Sequence, residues 1–303
     1  MKFRAILDMI ITMQVALFIS IPAAFRAILA SPSLLFKPEA LARICMANIW
    51  IPFGAGGDER SRADKKKLIT PHARGVVLDL GAGHGHTVNY LDRTAVTKYV
   101  ALEPNTLMHS RIREMATAAG FTESDGTLLI LSCGAEDTAS ALSAVQAPVD
   151  TIVSVLTLCT VPSPQKTLRA LVLDVLAPGG ALLFHEHIRR DRADAAWWQE
   201  ILTPMWKRVF DGCCLDRPTD VWVKELTDDS GATVWSEGVI WDPNEGKDID
   251  QDDLFWLQVG RFVKKVTPQR MKMQFSFMYF VHPLWQFLWS YMVYACVNGR
   301  VYD

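Results

Sequence analysis

No two cysteines in this chain are spaced as C-x-x-C. The six present among 303 residues, two of them adjacent at Cys213 and Cys214, form neither a zinc-finger nor a disulfide-scaffold pattern. The thiols read as free, in a reducing compartment, and no metal is expected. An excess of charge of one sign is also missing. With 31 basic and 33 acidic residues the net charge is −2, which gives no electrostatic basis for binding nucleic acid. Charged residues make up only 21% against 50% hydrophobic, which excludes a disordered or charge-stabilised chain. Tryptophan is absent between residues 52 and 190, whereas nine of the ten lie beyond Arg190. The length suits one large domain with appendages, or two small domains.

Apolar residues are instead concentrated at the two ends. Residues 9–25 carry no charge, and Lys2 and Arg4 precede them while Arg26, Lys37 and Arg43 follow. As a helix this run is about 25 Å long, slightly short of a bilayer core of about 30 Å. It lacks a convincing small-x-small cleavage site, so a membrane anchor, spanning or lying in the interface, is preferred over a signal peptide. A buried helix of the globular domain is the competing reading. Residues 273–299 also lack Asp, Glu, Lys and Arg and carry nine aromatics. There Trp285, Trp289, Tyr291 and Tyr294 suit a membrane edge, while His282, Pro283, Gln274 and Gln286 weigh against a span. The alternative is a packed segment covering a pocket. The expected organisation is a hydrophobic anchor or lid over residues 1–50, a domain over 51–266 and an aromatic extension over 267–303. Residues 58–67 read as a solvated charged connector.

Between these ends the pattern is periodic. Val76-Val77-Leu78-Asp79-Leu80, Tyr99-Val100-Ala101-Leu102, Leu128-Leu129-Ile130-Leu131, residues 151–156 and Ala181-Leu182-Leu183-Phe184 are short apolar runs of the kind buried parallel strands show. Segments of helical length, such as 106–119 and 164–176, separate them. This predicts an α/β fold, a doubly wound, mostly parallel seven-stranded sheet. Helices over 193–210 and 219–226 follow, and then two runs, 232–240 and 254–263, that fit a closing antiparallel hairpin.

Asp79-Leu80-Gly81-Ala82-Gly83-His84-Gly85 follows the first strand and is expected to open a helix. Glycines there let backbone approach a ligand closely. The spacing is G-x-G-x-G rather than the dinucleotide G-x-G-x-x-G, since His86 holds the last position, which disfavours a nicotinamide dehydrogenase. Glu103, before Pro104, ends the next strand where an acid meets a ribose hydroxyl. Cys133-Gly134-Ala135-Glu136-Asp137 follows the third strand and offers backbone and an acid to an adenine edge.

These features in this order resemble the class I S-adenosylmethionine-dependent methyltransferases. Residues 155–161, Ala177-Pro178-Gly179-Gly180 with Glu186-His187, and Trp198-Gln199 through Pro204, Trp206 and Phe210-Asp211-Gly212-Cys213 narrow the resemblance to the methyltransferase-like protein 7 family. The resemblance spans roughly residues 74–265, and residues 267–303 have no counterpart in it. It implies S-adenosyl-L-methionine held by Asp79, Gly81, Ala82, Gly83, Gly85, Glu103, Pro104, Ala135, Glu136 and Leu156. It also implies a membrane-associated enzyme on the cytosolic face of the endoplasmic reticulum or lipid droplets. The acceptor it implies is a small lipophilic thiol. Left open beside it are an O-methyltransferase of secondary metabolism and a cofactor-binding isomerase or cyclase without net methyl transfer.

A thiol is a few per cent ionised at pH 7 and needs little base, whereas a phenol or alcohol needs much more. The candidate catalytic residues are His187, as base or acceptor-orienting group, and Glu186, on the strand where doubly wound sheets bind ligands. Period two puts His185 and His187 on one face and Glu186 on the other. Trp197, Trp198, Trp206 and Trp222 are candidates for lining an apolar acceptor pocket, with core packing the competing role.

Overall fold

A computed structural model of the protein describes residues 3–245 and 252–266. Residues 273–299, expected to meet a membrane or cover a pocket, lie outside the described residues. So does the whole of the expected 267–303 extension. Residues 1–265 form one compact unit.

Among the described residues seven strands make one sheet: β1 (Gly75–Leu80), β2 (Val96–Leu102), β3 (Leu128–Leu131), β4 (Val149–Val155), β5 (Leu176–His187), β6 (Trp235–Trp241) and β7 (Leu257–Lys264). Their order is β3-β2-β1-β4-β5-β7-β6, with the first five parallel and β7 antiparallel to both β5 and β6. The sheet is thus the expected doubly wound one, closed by the expected hairpin. Chain reversal between β1 and β4 leaves a crevice at their carboxyl ends, the usual ligand position in such sheets.

The central strands are continuous apolar runs because both faces are covered. One layer packs Leu78, Val100, Ile152, Leu182 and Phe184 against Leu168, Leu171 and Val172. The other packs Val77, Tyr99, Ala101, Val153 and Leu183 against Leu68, Ile69, Ile112 and Phe121. The helices of these layers include α3 (Arg62–Ile69), α4 (His109–Ala118), α5 (Thr138–Val145) and α6 (Pro164–Ala170), with α7 (Ala193–Val209) and α8 (Thr219–Lys224) beyond β5.

Two local expectations are corrected. No α-helix follows the glycine turn; residues His86–Tyr90 form a short 3-10 helix. Thr87 and Val88 are β-branched and Asn89 favours turns, so this stretch has poor α-helix propensity. Residues 58–67 are mostly exposed, as expected of a charged run, but they are helical rather than a connector: they end α2 (Pro38–Arg60) and begin α3. Within them Asp58 and Lys65 are buried as an ion pair, and the Tyr90 hydroxyl donates to the same Asp58 oxygen at 2.8 Å. Removing one partner would strand a buried charge, which is why the pair holds the α2–α3 corner against the domain. The residue-50 boundary falls inside α2.

The N-terminal helix α1 (Phe3–Ala30) packs one narrow stripe on the domain. Ala5, Met9, Met13, Ala16 and Ser20 are buried along that stripe, at helical spacing, against a cluster containing Ile49, Leu202, Trp206 and Phe210. Its other faces expose Leu7, Phe18, Ile21, Phe25 and Leu29, with Phe18 at 80%. The helix is long and apolar enough to cross a membrane.

Candidate active site

The chain must turn sharply at the end of β1 to leave the sheet. Gly81 and Gly83 do so with φ of 57° and 56°, in the left-handed region. At Gly83 a close approach is added: a Cβ there would strike the indole Nε1 of Trp50 from α2. Gly81 is cupped by the Thr157 side chain, 2.7 Å from where a Cβ would sit. Thr157 Oγ1 donates to Leu80 O at 2.7 Å, locking the loops after β1 and β4 together.

Glu103 ends β2 beside this turn. Its Oε2 accepts from Gly83 N and its Oε1 from Asn105 N, both at 2.8 Å. Burial pushes its carboxyl up to about 7, despite those two backbone donors. Asp79 is buried deeper. Burial raises it to about 7 as well, with Tyr99 OH donating at 2.7 Å and Thr87 Oγ1 at 3.2 Å as its stabilising partners. Without ligand, both acids hold protons more tightly folded than unfolded, so their joint contribution to stability falls as pH rises from about 4 to about 7. A hydroxyl donating to Glu103 would need the ionised carboxylate, which would reverse that sense for ligand binding. Cofactor affinity is therefore expected to strengthen from pH 6 to pH 8, by roughly fivefold to tenfold by calorimetry. Glu103→Gln should abolish the dependence, and an unchanged profile in that variant would assign it elsewhere.

After β4 the chain passes through Leu156 at φ 56°, a strained backbone for a leucine. Its N–H donates to His185 O at 2.9 Å, and the following turn is held by Glu186. Glu186 Oε1 accepts from Ser154 Oγ at 2.6 Å, Thr157 N at 2.9 Å and Leu158 N at 3.0 Å. The carboxylate is thus turned onto β4 and its loop, away from the cavity, and its fully buried position raises its pKa.

One cavity of ≈ 1680 Å³ runs along the carboxyl edge of the sheet. Small-molecule sites commonly hold roughly 300–1,000 Å³, so there is room for a nucleoside cofactor and an acceptor. Of the residues expected to hold cofactor, Gly81, Gly83, Glu103, Pro104, Ala135, Glu136 and Leu156 line it. Asp79 and Ala82 line a small adjoining pocket with Trp50 and His86. Gly85 lines neither; its backbone sits against Ile112 of α4, which fixes the turn's exit. Glu136 folds its carboxylate back over Gly134, into the space a side chain there would fill. Gly134 and Glu136 together thus form this part of the cavity wall.

The far end of the cavity holds His185, His187, Trp206, Phe210, Cys213 and Phe255. Burial lowers the His185 pKa to about 3, so this imidazole stays neutral. His187 is half-buried, with Nδ1 3.9 Å from Cys213 Sγ. Burial works to lower its pKa, but the contact with Cys213 outweighs it and the pKa is raised. Cys213 in turn sits well below the usual thiol range, chiefly through its contact with Cys159. Among the four candidate tryptophans only Trp206 lines the cavity: Trp197 is exposed, Trp198 packs near α1, and Trp222 packs on the core.

Two contributors come from the 1–50 segment read as anchor or lid, and neither is expected by residue. Trp50 is a lone tryptophan in a stretch read as anchor, with no local signal. Helix α1 supplies Ala5, Asp8, Ile11, Thr12 and Val15 to the cavity wall.

The family described as "Methyltransferase domain" matches residues 57–237. Human thiol S-methyltransferase TMT1B is 46% identical over 71 residues, 23% of this chain and 29% of the relative. Human TMT1A is 43% identical over 70 residues, 23% of this chain and 28% of the relative. The chain thus matches under a third of the length of these relatives. An O-methyltransferase family protein from Burkholderia thailandensis has the same fold, with a TM-score of 0.54 at 13% identity, covering 84% of this chain and 71% of that one. With its glycine turn, its acid at the end of β2 and its β3-β2-β1-β4-β5-β7-β6 sheet, the chain belongs to the methyltransferase-domain family.

Proposed function

We propose that this protein transfers a methyl group from S-adenosyl-L-methionine to the sulfur of a small lipophilic thiol at a membrane surface. The observation that carries this reading is the continuous cavity joining the glycine turn and Glu103 to an apolar far end roofed by α1. The cofactor is held by the loop residues described above, its adenine end toward Glu136 and its ribose toward Glu103. It supplies a methyl group already activated as a sulfonium, so the protein's main task is in-line positioning. Orientation of that kind is worth up to roughly 7–11 kcal/mol. In this reading His187 orients the acceptor or takes its proton, while Glu186 acts through the Leu156–Leu158 turn as a positioning residue. The thiol relatives and the low demand of a thiol for base support sulfur over oxygen.

The test is incubation of the full chain with methyl-labelled cofactor and a mixed panel of alkyl thiols, phenols and carboxylic acids. Label is expected in the thiols, with demethylated cofactor formed in equal amount. Label confined to phenols or acids overturns the acceptor, and no transfer to any class despite cofactor binding overturns the activity.

The exposed apolar faces of α1 support a helix lying in the interface, on the cytosolic leaflet of the endoplasmic reticulum or a lipid droplet. Residues 1–50 would then serve as anchor and lid for the 51–266 domain. The stripe at Met9 and Met13 is already buried in the domain, which weighs against a span. Wild-type protein is expected to float with phosphatidylcholine vesicles, whereas a Phe18→Asp, Phe25→Asp double variant should lose about tenfold or more of that association. Equal flotation of the two would remove α1 from the membrane contact.

A further inference from the structure

Three ligand atoms of the kind that hold soft metals meet on the far wall of the cavity. Cys159 follows β4, His187 ends β5 and Cys213 follows α7. The two Sγ atoms are 3.4 Å apart, Cys213 Sγ lies 3.9 Å from His187 Nδ1, and all three atoms fall within 4.8 Å of one another. A tetrahedral zinc with bonds of about 2.3 Å to sulfur and about 2.0–2.1 Å to nitrogen sets its ligands roughly 3.4–3.8 Å apart. The cluster therefore reaches zinc geometry by small side-chain shifts. Two thiolates and one imidazole favour zinc over magnesium or calcium. Three protein ligands also leave a fourth position open, as catalytic rather than structural zinc sites do. All three residues line the cavity, and Trp206 and Phe255 beside them keep that end apolar.

We propose that Cys159, His187 and Cys213 bind a zinc ion whose open position takes the acceptor thiol. The proposal rests on the thiol reading above, with His187 serving as a metal ligand in place of a base. On binding, the acceptor releases its S–H proton to solvent and stays on the metal as a thiolate. A lone pair of that sulfur attacks the methyl carbon; the new S–CH3 bond forms as the bond from carbon to the sulfonium sulfur breaks. The cofactor sulfur keeps that electron pair, leaving demethylated cofactor and a neutral thioether. A thioether binds zinc more weakly than a thiolate, so product leaves and the position reopens.

The test measures metal on full-length protein purified in detergent without chelator. About one zinc per chain is expected, and cobalt put in its place should give the strong sulfur-to-cobalt absorption of a tetrahedral site with two thiolates. Cys213→Ser and His187→Ala should each reduce retained zinc to below about a tenth of an equivalent. Cys133→Ser and Cys214→Ser should retain it. Calorimetry of cofactor binding identifies any variant that has failed to fold, and for such a variant the wild-type cobalt spectrum decides. Wild-type protein that binds cofactor yet neither retains zinc nor takes it up on titration overturns the proposal. So does a Cys159–Cys213 disulfide in freshly purified protein, or equal zinc loss in Cys214→Ser. Methyl transfer to thiols by metal-free protein would sink the zinc site while leaving the proposed function standing.

Discussion

Gly83→Val is expected to weaken cofactor binding by about 100-fold or more, equivalent to about 2.7 kcal/mol. Two effects add. A β-branched residue at φ 56° is strained by roughly 1–3 kcal/mol, and its Cβ is driven into the Trp50 indole. Relief of either moves the turn away from Glu103, whose Oε2 accepts from the Gly83 N–H. Calorimetry reads the affinity, and thermal unfolding separates a distorted turn from global unfolding. Adding Trp50→Ala to the valine variant removes the clash but not the strain, so recovery should be partial. Full affinity in the single variant would place the cofactor away from this turn.

Glu186→Ala should lower stability by about 3–5 kcal/mol, because it leaves the Ser154 hydroxyl and the Thr157 and Leu158 N–H groups without their acceptor in a dry interior. For a domain of this size, that corresponds to a Tm drop of roughly 6–15 °C. Glu186→Gln keeps one acceptor oxygen and should lose much less. The result distinguishes two roles. A base would show a large fall in kcat at unchanged Tm in both variants, whereas a positioning residue shows the stability loss in alanine and recovery in glutamine.

The parts of this protein that are legible in its sequence are those fixed by local chemistry. The buried strands announce themselves because both faces are apolar, and the glycine turn because β1 must reverse direction where ligand and Trp50 approach. The hairpin of β6 and β7 follows from period and position. What stays hidden depends on long-range convergence. Cys159, His187 and Cys213 are 26 and 54 residues apart in their pairings and meet only because three loops share one edge of the sheet. The 58–67 stretch reads as solvated from composition, although Asp58 at the end of α2 and Lys65 in α3 meet across the Ser61 junction as a buried ion pair. Glu186 lies on the expected strand, and the alternation that places it opposite His185 and His187 already points it away from the cavity.

The way α1 is seated changes what a shortened protein would mean. Cutting the chain after Ala30 would do more than remove an apolar helix. It would strip Met9 and Met13 from Trp206 and Phe210 and unroof the far end of the cavity. Such a sample would keep the sheet and the glycine turn, and so still bind nucleoside. Its greasy end, however, would lie open to bulk water, and poor turnover in it would report a missing wall rather than an absent catalyst.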